Sequence, residues 1–349
     1  MYDAFYGLSG KPFQLTPDQR FYFESQVHHR AMAYLRYGLE QGEGFIVITG
    51  GIGTGKTMLV RNLFSELEGR DIMAAQLVTT QVEAEDMLRM VCASFGLAHE
   101  GMNKATLLHN LEVIARTRFA EGRRILLVVD EAQNLPARSL EELRMLANFQ
   151  IEGRSLFQSF LLGQEELRRT LQGPEMEQLR QRIIAAYHLE PLGAEETREY
   201  VEFRLQRVAW DGDPELDPKV FTTVYEHTGG VPRRINTLCD RLFLFGCIEG
   251  RHALGEVDVQ VVVEELRQEV GRSDELAGRD RAAAAHRDAQ GEAVEPVSRS
   301  AIPPGDWESR LTALEAEVAQ LKATAQKERK LLRKAVLLQL ELDVYDELD

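Results

Sequence analysis

The hydrophobic positions in the first half of the chain form short apolar runs separated by amphipathic segments. Residues 45–49 are such a run, rich in β-branched side chains and of the length typical of a buried strand. The helical segment after residue 57 places five apolar side chains on one side: Leu59, Val60, Leu63, Phe64 and Leu67. Further strands are predicted over 71–78, 124–129, 156–162 and 187–190, and helices over 25–40, 84–95, 104–120, 139–150 and 175–185 and from residue 165. Strands that alternate with helices predict a doubly wound α/β domain with a parallel sheet over 1–190.

The strand pattern ends after Pro191. Four helical segments follow, over 195–210, 218–227, 232–250 and 256–270. Asp217 before Pro218 is typical of a helix start, because the carboxylate caps the first turn and proline needs no N–H partner there. A separate helical lid domain is therefore predicted over 191–270.

The composition changes again at residue 271. Residues 271–306 are rich in alanine, glycine, proline, serine and charged side chains, which predicts a flexible linker. Over 307–349 the pattern is helical, and apolar residues recur at coiled-coil spacing: Leu311, Leu314, Val318, Leu321 and Ala325. Two interpretations stay open for this tail, namely a coiled coil between copies of the chain or one amphipathic helix that docks elsewhere.

The charge and the cysteines narrow the class of protein. Among the 349 residues, 41 lysines and arginines face 56 aspartates and glutamates, a net charge of −15. This balance disfavours a protein whose main task is to bind nucleic acid, because such a protein must neutralise phosphates. No apolar run approaches the roughly 18 residues of a membrane helix, and the N-terminus lacks signal-peptide features, so we expect a cytoplasmic protein without its own transmembrane segment. Cys92, Cys239 and Cys247 are expected to be reduced thiols.

A glycine-rich loop lies between the first strand and the next helix. Gly50-Gly-Ile-Gly-Thr-Gly-Lys-Thr57 matches the phosphate-binding pattern of P-loop NTPases. Glycines let backbone N–H groups surround the phosphates, and the helix N-terminus adds its positive end. Lys56 is expected to reach the β- and γ-phosphates and Thr57 to hold Mg²⁺. The predicted nucleotide-binding residues are Gly50, Gly51, Ile52, Gly53, Thr54, Gly55, Lys56, Thr57 and Met58.

Two carboxylates follow directly after the apolar run 124–129. Ligands bind at the carboxyl ends of the strands in open α/β sheets, so Asp130 and Glu131 are both expected at the crevice. Asp130 suits Mg²⁺ through an intervening water, and Glu131 suits polarisation of the water that attacks the γ-phosphate. A glutamate at this position favours hydrolysis over binding alone.

Gln164 and two arginines are candidates for contact with the γ-phosphate. Gln164 follows the strand predicted over 156–162, which we expect beside the P-loop strand; the alternative role is to cap the next helix. Arg180 and Arg182 precede the last predicted strand, and an arginine there can enter the site of a neighbouring copy and stabilise transition-state charge. We favour Arg182, with a surface salt bridge as the alternative for either arginine.

Arg233 and Arg234 fall in the first turn of the helix predicted over 232–250. Positive charge is unfavourable at a helix N-terminus, which suggests an anionic partner. Arg233 is predicted to contact a phosphate, with Arg234 as the second choice. His28 and His29 lack metal-like company and are predicted to be surface or nucleotide-rim residues.

These motifs together resemble those of AAA+ ATPases over about residues 1–270. The P loop, Asp130-Glu131, Gln164, Arg182 and the Gly-Val-Pro-Arg-Arg segment are similar to that family's Walker A, Walker B, sensor 1, arginine finger and sensor 2. Five segments resemble, more narrowly, the general secretion pathway protein A family: Tyr2-x-x-Phe5-Tyr-Gly-Leu, Lys11-Pro-Phe13, Thr16-Pro17-Asp18, Asp130-Glu-Ala-Gln133 and Leu162-Gly-Gln164-x-Glu-Leu167. Residues 21–44 look most similar to the branch encoded with exosortase (PEP-CTERM) systems.

The resemblance implies ATP hydrolysis with Mg²⁺ by a ring of identical subunits. It implies work at the cytoplasmic face of a bacterial inner membrane, driving envelope export or assembly with a membrane-bound partner. Relatives carry a membrane span and a peptidoglycan-binding domain that this sequence does not show, so we expect membrane contact through a partner. Glu165 replaces the usual proline of the Gly-Gln-Pro-Glu-Leu segment.

Two other functions share much of this core. One is a DNA-linked AAA+ regulator of transposition or replication, which needs a basic DNA-binding appendage and is disfavoured by the net charge of −15. The other is a nucleotide-switched adaptor that does not hydrolyse its nucleotide, against which Glu131 and the arginines argue.

Overall fold

The computed structural model describes residues 1–78 and 83–269. These residues belong to one compact unit. The predicted linker over 271–306 and the predicted helical tail over 307–349, with its coiled-coil spacing, lie outside the described residues.

A five-stranded parallel sheet forms the centre of the α/β part. The strands are β1 Phe45–Gly50, β2 Ile72–Val78, β3 Arg124–Asp130, β4 Phe157–Gly163 and β5 Ile183–Leu189. They lie side by side in the order β2, β3, β4, β1, β5. β4 lies beside β1, as predicted, with Gly163 opposite Thr49. The carboxyl ends of β3, β4 and β1 therefore meet at one edge of the sheet.

Helices cover both faces of this sheet, which confirms the doubly wound architecture. In chain order the helices are α1 Tyr2–Phe5, α2 Gln26–Gln41, α3 Lys56–Leu67, α4 Ala84–Ser94, α5 Lys104–Ala120, α6 Ala137–Leu146, α7 Glu165–Gln172 and α8 Glu177–Arg180. Successive side chains of a strand point to opposite faces. Phe45 and Val47 thus pack with α4 to α8, whereas Ile46 and Ile48 pack with α2 and α3.

The helical lid follows β5 along the chain. Its helices are α9 Ala194–Gln206, α10 Pro218–Thr228 and α11 Pro232–Ile248, and residues 256–269 are also helical. Their apolar side chains share one core with the N-terminal segment, where the ring of Phe13 lies 5.3 Å from that of Phe243. A two-residue ladder of Glu215–Leu216 with Ala253–Leu254 ties the loops together. The first residues of the chain therefore pack against the lid, and the boundary at residue 190 stays a prediction.

Two local predictions were wrong. The helix predicted over 175–185 is the single turn α8 followed by β5, because Ile183 pairs with Phe45 of β1 and extends the strand toward its N-terminus. The end of the helix predicted over 139–150 is a tight hairpin of Gln150–Ile151 with Arg154–Ser155. Glu152 and Gly153 at its tip have positive φ angles of 52° and 76°.

The described residues contain no helix long and apolar enough to cross a membrane. All three cysteines are free thiols, as predicted. Burial raises the pKa of the Cys92 thiol to about 11 and that of Cys239 to about 12, so neither forms a reactive thiolate at neutral pH.

Candidate nucleotide-binding site

The P loop turns sharply between β1 and α3. Gly53 and Gly55 have φ angles of 82° and 103°, a region that side chains other than glycine rarely adopt. The Thr54 hydroxyl donates to the carbonyl oxygen of Gly51 at 3.0 Å and closes the loop on itself. α3 begins at Lys56, so the positive end of its dipole points into the loop.

The side chain of Lys56 is buried inside the loop. Its Nζ donates to the carbonyl oxygens of Gly50 at 2.8 Å and Gly51 at 2.9 Å. Burial lowers the pKa of Lys56, and the nearby charges of Glu131 and Asp130 oppose that shift. An ammonium group held in this way lies where the phosphate chain of a nucleotide needs positive charge.

The two predicted metal ligands lie side by side. Thr57 Oγ1 donates to Asp130 Oδ2 at 3.3 Å, and Asp130 Oδ1 accepts the backbone N–H of Glu131 at 3.0 Å. Burial raises the pKa of the Asp130 carboxyl above its ordinary value. A hydroxyl and a carboxylate with room for phosphate oxygens and waters are the donor set that Mg²⁺ takes in nucleotide sites. The described residues contain no cluster of three or more acidic, histidine or cysteine ligands, which a closed metal site requires.

Glu131 is positioned by an unusual backbone conformation. Its φ of 53° lies in the left-handed region, which costs free energy for a residue with a Cβ. Gln164 Nε2 donates to Glu131 Oε2 at 3.2 Å. Gln164 is the N-cap residue of α7, but its side chain makes no capping hydrogen bond. The structure thus brings Gln164 and Glu131 together and removes the capping alternative.

The lid reaches the P loop through Arg233. The backbone N–H of Arg233 donates to the carbonyl oxygen of Gly53 at 3.2 Å. A Cβ at Gly53 would lie only 2.5 Å from the Cβ of Arg233. Arg233 lines both the cavity beside the P loop and a neighbouring groove between α10, α11 and residues 256–269, whereas Arg234 lines only the groove. Of the two predicted choices, Arg233 alone is at the site.

A cavity of about 330 Å³ lies between the N-terminal segment, the P loop and the lid. Its wall combines aromatic and aliphatic side chains with a few polar groups, as expected of a cofactor or nucleotide site. The lining includes Leu15, Pro17, Phe21, Tyr22, Phe23, Ile52, Lys56, Thr57, Met58, Glu131, Leu192, Tyr200, Arg204 and Arg233.

His28 supports the P loop from α2 and lines the cavity beside it, so of the two predicted alternatives the structure removes the surface position and leaves the nucleotide rim. The side chain is buried, with Nδ1 2.7 Å from Ser25 Oγ and Nε2 3.0 Å from the carbonyl oxygen of Thr54. A Cβ at Gly55 would lie 2.6 Å from Nε2. Burial lowers the pKa of His28, so the ring is neutral at pH 7. His29, one residue on, is exposed.

No role was predicted for Gln133, although it belongs to the Asp130-Glu-Ala-Gln133 segment that carries the family resemblance. Its side-chain amide contacts both Glu131 and Gln164. Residues two apart along a regular helix do not face each other, whereas here Glu131 has a left-handed backbone conformation just before the turn that contains Gln133.

Arg180 and Arg182 have different roles. Arg180 Nη1 donates to the carbonyl oxygens of Leu171 at 2.9 Å and Gly173 at 2.8 Å, so it closes the C-terminal end of α7. Arg182 is half-buried, and its guanidinium contacts the side chain of Asn148 at the protein surface. The hydrogen bonds of Arg180 are partly buried, so Arg182 is the arginine whose guanidinium lies nearer to solvent.

Arg182 lies at the opposite end of the sheet from the P loop. Its carbonyl oxygen accepts the backbone N–H of Phe45, the first residue of β1, at 2.9 Å. Since a strand rises about 3.3 Å per residue, the six residues of β1 separate Arg182 from the loop. The separation is roughly 15 Å or more, so Arg182 cannot serve the nucleotide site of its own chain.

Fold and site together define the class of protein. The chain has a P-loop fold of the AAA+ type, and the family described as AAA domain matches residues 39–171. General secretion pathway protein A of Aeromonas hydrophila is 37% identical over 269 residues, 76% of this chain and 48% of that protein. The chain therefore spans about half the length of this curated relative.

Solved structures confirm the fold. Cdc6p from Pyrobaculum aerophilum matches with a TM-score of 0.57 and 15% identity over 73% of this chain and 70% of that one. The ADP form of the Aeropyrum pernix ORC2 protein matches with a TM-score of 0.54 and 19% identity over 73% of this chain and 72% of that one. At such identities the likeness concerns the fold alone.

Proposed function

We propose that the protein binds Mg²⁺-ATP in this cavity and hydrolyses it to power export or assembly in the bacterial envelope. The observation that carries the ATPase part is the meeting of three pairs at one edge of the sheet. They are Lys56 with the P-loop carbonyls, Thr57 with Asp130, and Glu131 with Gln164.

Each pair has a distinct task in phosphoryl transfer. Lys56 would neutralise the phosphate chain, and Thr57 and Asp130 would hold Mg²⁺, which would supply further positive charge to the phosphates. Glu131 accepts a proton from the attacking water, and Gln164 orients the groups around the γ-phosphate. The aromatic wall formed by residues 21–23 provides an apolar surface for the base.

A second copy of the chain completes the site in this proposal. Transition-state charge on the γ-phosphate calls for an arginine, and the guanidinium of Arg182 lies at the surface, too far from its own P loop to supply it. A ring in which Arg182 of one subunit enters the site of the next satisfies both observations. Arg233 is assigned to a phosphate of the chain's own nucleotide.

The likeness to General secretion pathway protein A supports the role in the envelope. We place the protein at the cytoplasmic face of the inner membrane through a membrane-bound partner, within the branch associated with exosortase systems. The sequence of residues 21–44 supports that branch assignment.

ATP turnover by the purified full chain tests the enzymatic part. Lys56→Ala is expected to weaken nucleotide binding more than tenfold. Glu131→Gln is expected to bind nucleotide normally and to lower turnover by about 10²-fold or more, the usual contribution of a general base. Lys104→Ala, a surface lysine paired with Glu142, is the control and should match the wild type. Turnover that survives in Glu131→Gln would contradict the assignment.

A strain that lacks the gene tests the cellular part. Wild-type protein should restore envelope delivery of the strain's exported polymers and sorted proteins, whereas Glu131→Gln should not. Binding to duplex DNA that weakens steeply with salt, with delivery unaffected, would instead support the DNA-linked alternative.

A further inference from the structure

Gln133 uses both ends of its side-chain amide at the catalytic edge of the sheet. Its Nε2 donates to Glu131 Oε2, and its Oε1 accepts the backbone N–H of Gln164 at 3.0 Å. We propose that Gln133 is a positioning residue that orients the Glu131 carboxylate by fixing it to the end of β4. The proposal rests on the function proposed for Glu131.

The backbone on both sides of the Gln133 amide positions it and leaves space for it. Residues Ala132–Asn134 form a 3-10 turn, closed by the N–H of Asn134 on the carbonyl oxygen of Glu131 at 3.0 Å. Ala132 is fully buried and anchors the turn in the core. On the other side, a Cβ at Gly163 would lie 2.9 Å from Gln133 Oε1. A glycine at the end of β4 therefore leaves the space that the amide occupies.

The carboxylate of Glu131 needs this support because its terminal side-chain torsion angle is only weakly restrained. The terminal torsion of a glutamate is broad rather than confined to one well. Two amide donors, from Gln133 and Gln164, converge on the same oxygen Oε2. Two donors on one oxygen fix the orientation of the carboxylate plane. This matters because displacement of a catalytic group by about 1 Å can lower the rate by on the order of 10²-fold.

Gln133 also couples two strands. Glu131 directly follows β3, and Gln164 directly follows β4. The amide of Gln133 contacts both residues. A shift of Gln164 relative to β3 therefore changes the position of the Glu131 carboxylate, which polarises the attacking water. The strand end that senses the γ-phosphate is thereby linked to the residue that activates the water.

Two substitutions separate orientation from structural support. Gln133→Met keeps the volume and loses both hydrogen bonds. Gln133→Glu keeps the acceptor for the N–H of Gln164 but replaces the donor to Glu131 by a like charge. Gln172→Met, at an exposed position at the end of α7, controls for the glutamine-to-methionine change.

Both Gln133 variants are expected to lower kcat 10- to 100-fold with KM and ADP affinity within twofold of wild type. Affinity for ADP–aluminium fluoride, which imitates the transferring phosphate, should fall at least tenfold in both. In a Glu131→Gln background, Gln133→Met should have no further effect on that affinity, because the oriented carboxylate is already absent. Melting temperatures establish that each variant is folded.

A wild-type rate or analogue affinity in Gln133→Glu, together with losses in Gln133→Met, would overturn the proposal and leave Gln133 as a support for β4. Equal losses of ADP and analogue affinity would overturn it as well. A wild-type chain that binds ATP without turnover overturns the proposed function instead, and the analogue affinities still decide the role of Gln133.

Discussion

The backbone N–H of Arg233 donates to the carbonyl oxygen of Gly53, and this 3.2 Å hydrogen bond joins the first turn of the lid helix α11 to the P loop. The two backbones approach so closely that the position of Gly53 has no space for a side chain. A change in the shape of the loop at Gly53 therefore acts directly on the first turn of α11. The contact provides a direct route from nucleotide state to domain position.

Gly53→Ala should uncouple the lid from the loop. A Cβ there would lie 2.5 Å from the Cβ of Arg233, and the φ of 82° is unfavourable for alanine. We expect nucleotide affinity to fall at least tenfold, measured with a fluorescent ATP analogue. Gly69→Ala is the matched control, because Gly69 lies outside the P loop, has a similar φ of 78° and has open space where its Cβ would lie. Equal affinities of the two variants would show that the lid contact does not matter for binding.

Candidate site residues that lie close together along the chain could be predicted from the sequence. The P loop needs glycines, Lys56 and Thr57 within eight positions, and Asp130-Glu131 needs only a preceding apolar strand. The alternation of strands and helices gave the fold, and the position of β4 beside β1 is confirmed. Local pattern and local chemistry pointed to the same elements in these regions.

Residues that act through tertiary contact were not predictable. His28 reaches the P loop from α2, and Gln133 depends on the left-handed backbone of Glu131; neither contact leaves a periodic signal. The short apolar run that begins at Ile183 fits a helix end as well as a strand, and only its pairing with β1 decides. Sequence alone therefore predicted residues that the structure brings together at one edge of the sheet, and it missed the contacts that His28 and Gln133 make there.

Arg204→Met should loosen the N-terminal segment. Arg204 is buried, and its guanidinium donates to the carbonyl oxygens of Pro12 at 2.6 Å and Gln14 at 3.3 Å and to the hydroxyl of Tyr200 at 2.6 Å. Loss of a buried charged donor leaves these acceptors unsatisfied, which costs about 2–4 kcal/mol. Urea unfolding should show this loss of stability, and limited proteolysis should cut the first 20 or so residues faster. Arg207→Met, an exposed arginine just after α9, should change neither measurement.

Arg182→Ala should impair ATP turnover in the site of the neighbouring subunit and not the nucleotide site of its own chain. The proposed site takes Arg182 from an adjacent copy, so the variant alone should lose about 10³-fold or more in kcat while it binds ATP normally. Mixed with Glu131→Gln, which lacks the base but keeps Arg182, it should regain a measurable fraction of activity in shared sites. Arg180→Ala should differ by a loss of stability, because Arg180 caps α7. If the mixture stays as inactive as either variant, Arg182 does not act in trans.

His28 should make stability depend on pH below its ordinary pKa of 6.5. A carbonyl oxygen only accepts, so Nε2 carries the proton toward Thr54, and Nδ1 accepts from Ser25. Burial lowers the pKa of His28 in the folded chain, against the weaker opposite effects of the hydrogen bond to the Thr54 carbonyl and of the charges of Glu196 and Glu24. Below pH 6.5 the unfolded chain therefore binds more protons than the folded chain, and the free energy of unfolding falls as the pH falls.

His28→Gln keeps an N–H donor for Thr54 and cannot titrate in this range. The free energy of unfolding of wild type should decline relative to His28→Gln below pH 6.5, by at most about 1.4 kcal/mol per pH unit for one proton. Above pH 7 the difference between the two should be constant. His29→Gln, an exposed neighbour on α2, should follow the wild-type curve. Parallel curves for wild type and His28→Gln between pH 5 and 8 would mean that His28 has the same pKa in the folded and unfolded chains, contrary to its buried place behind the P loop.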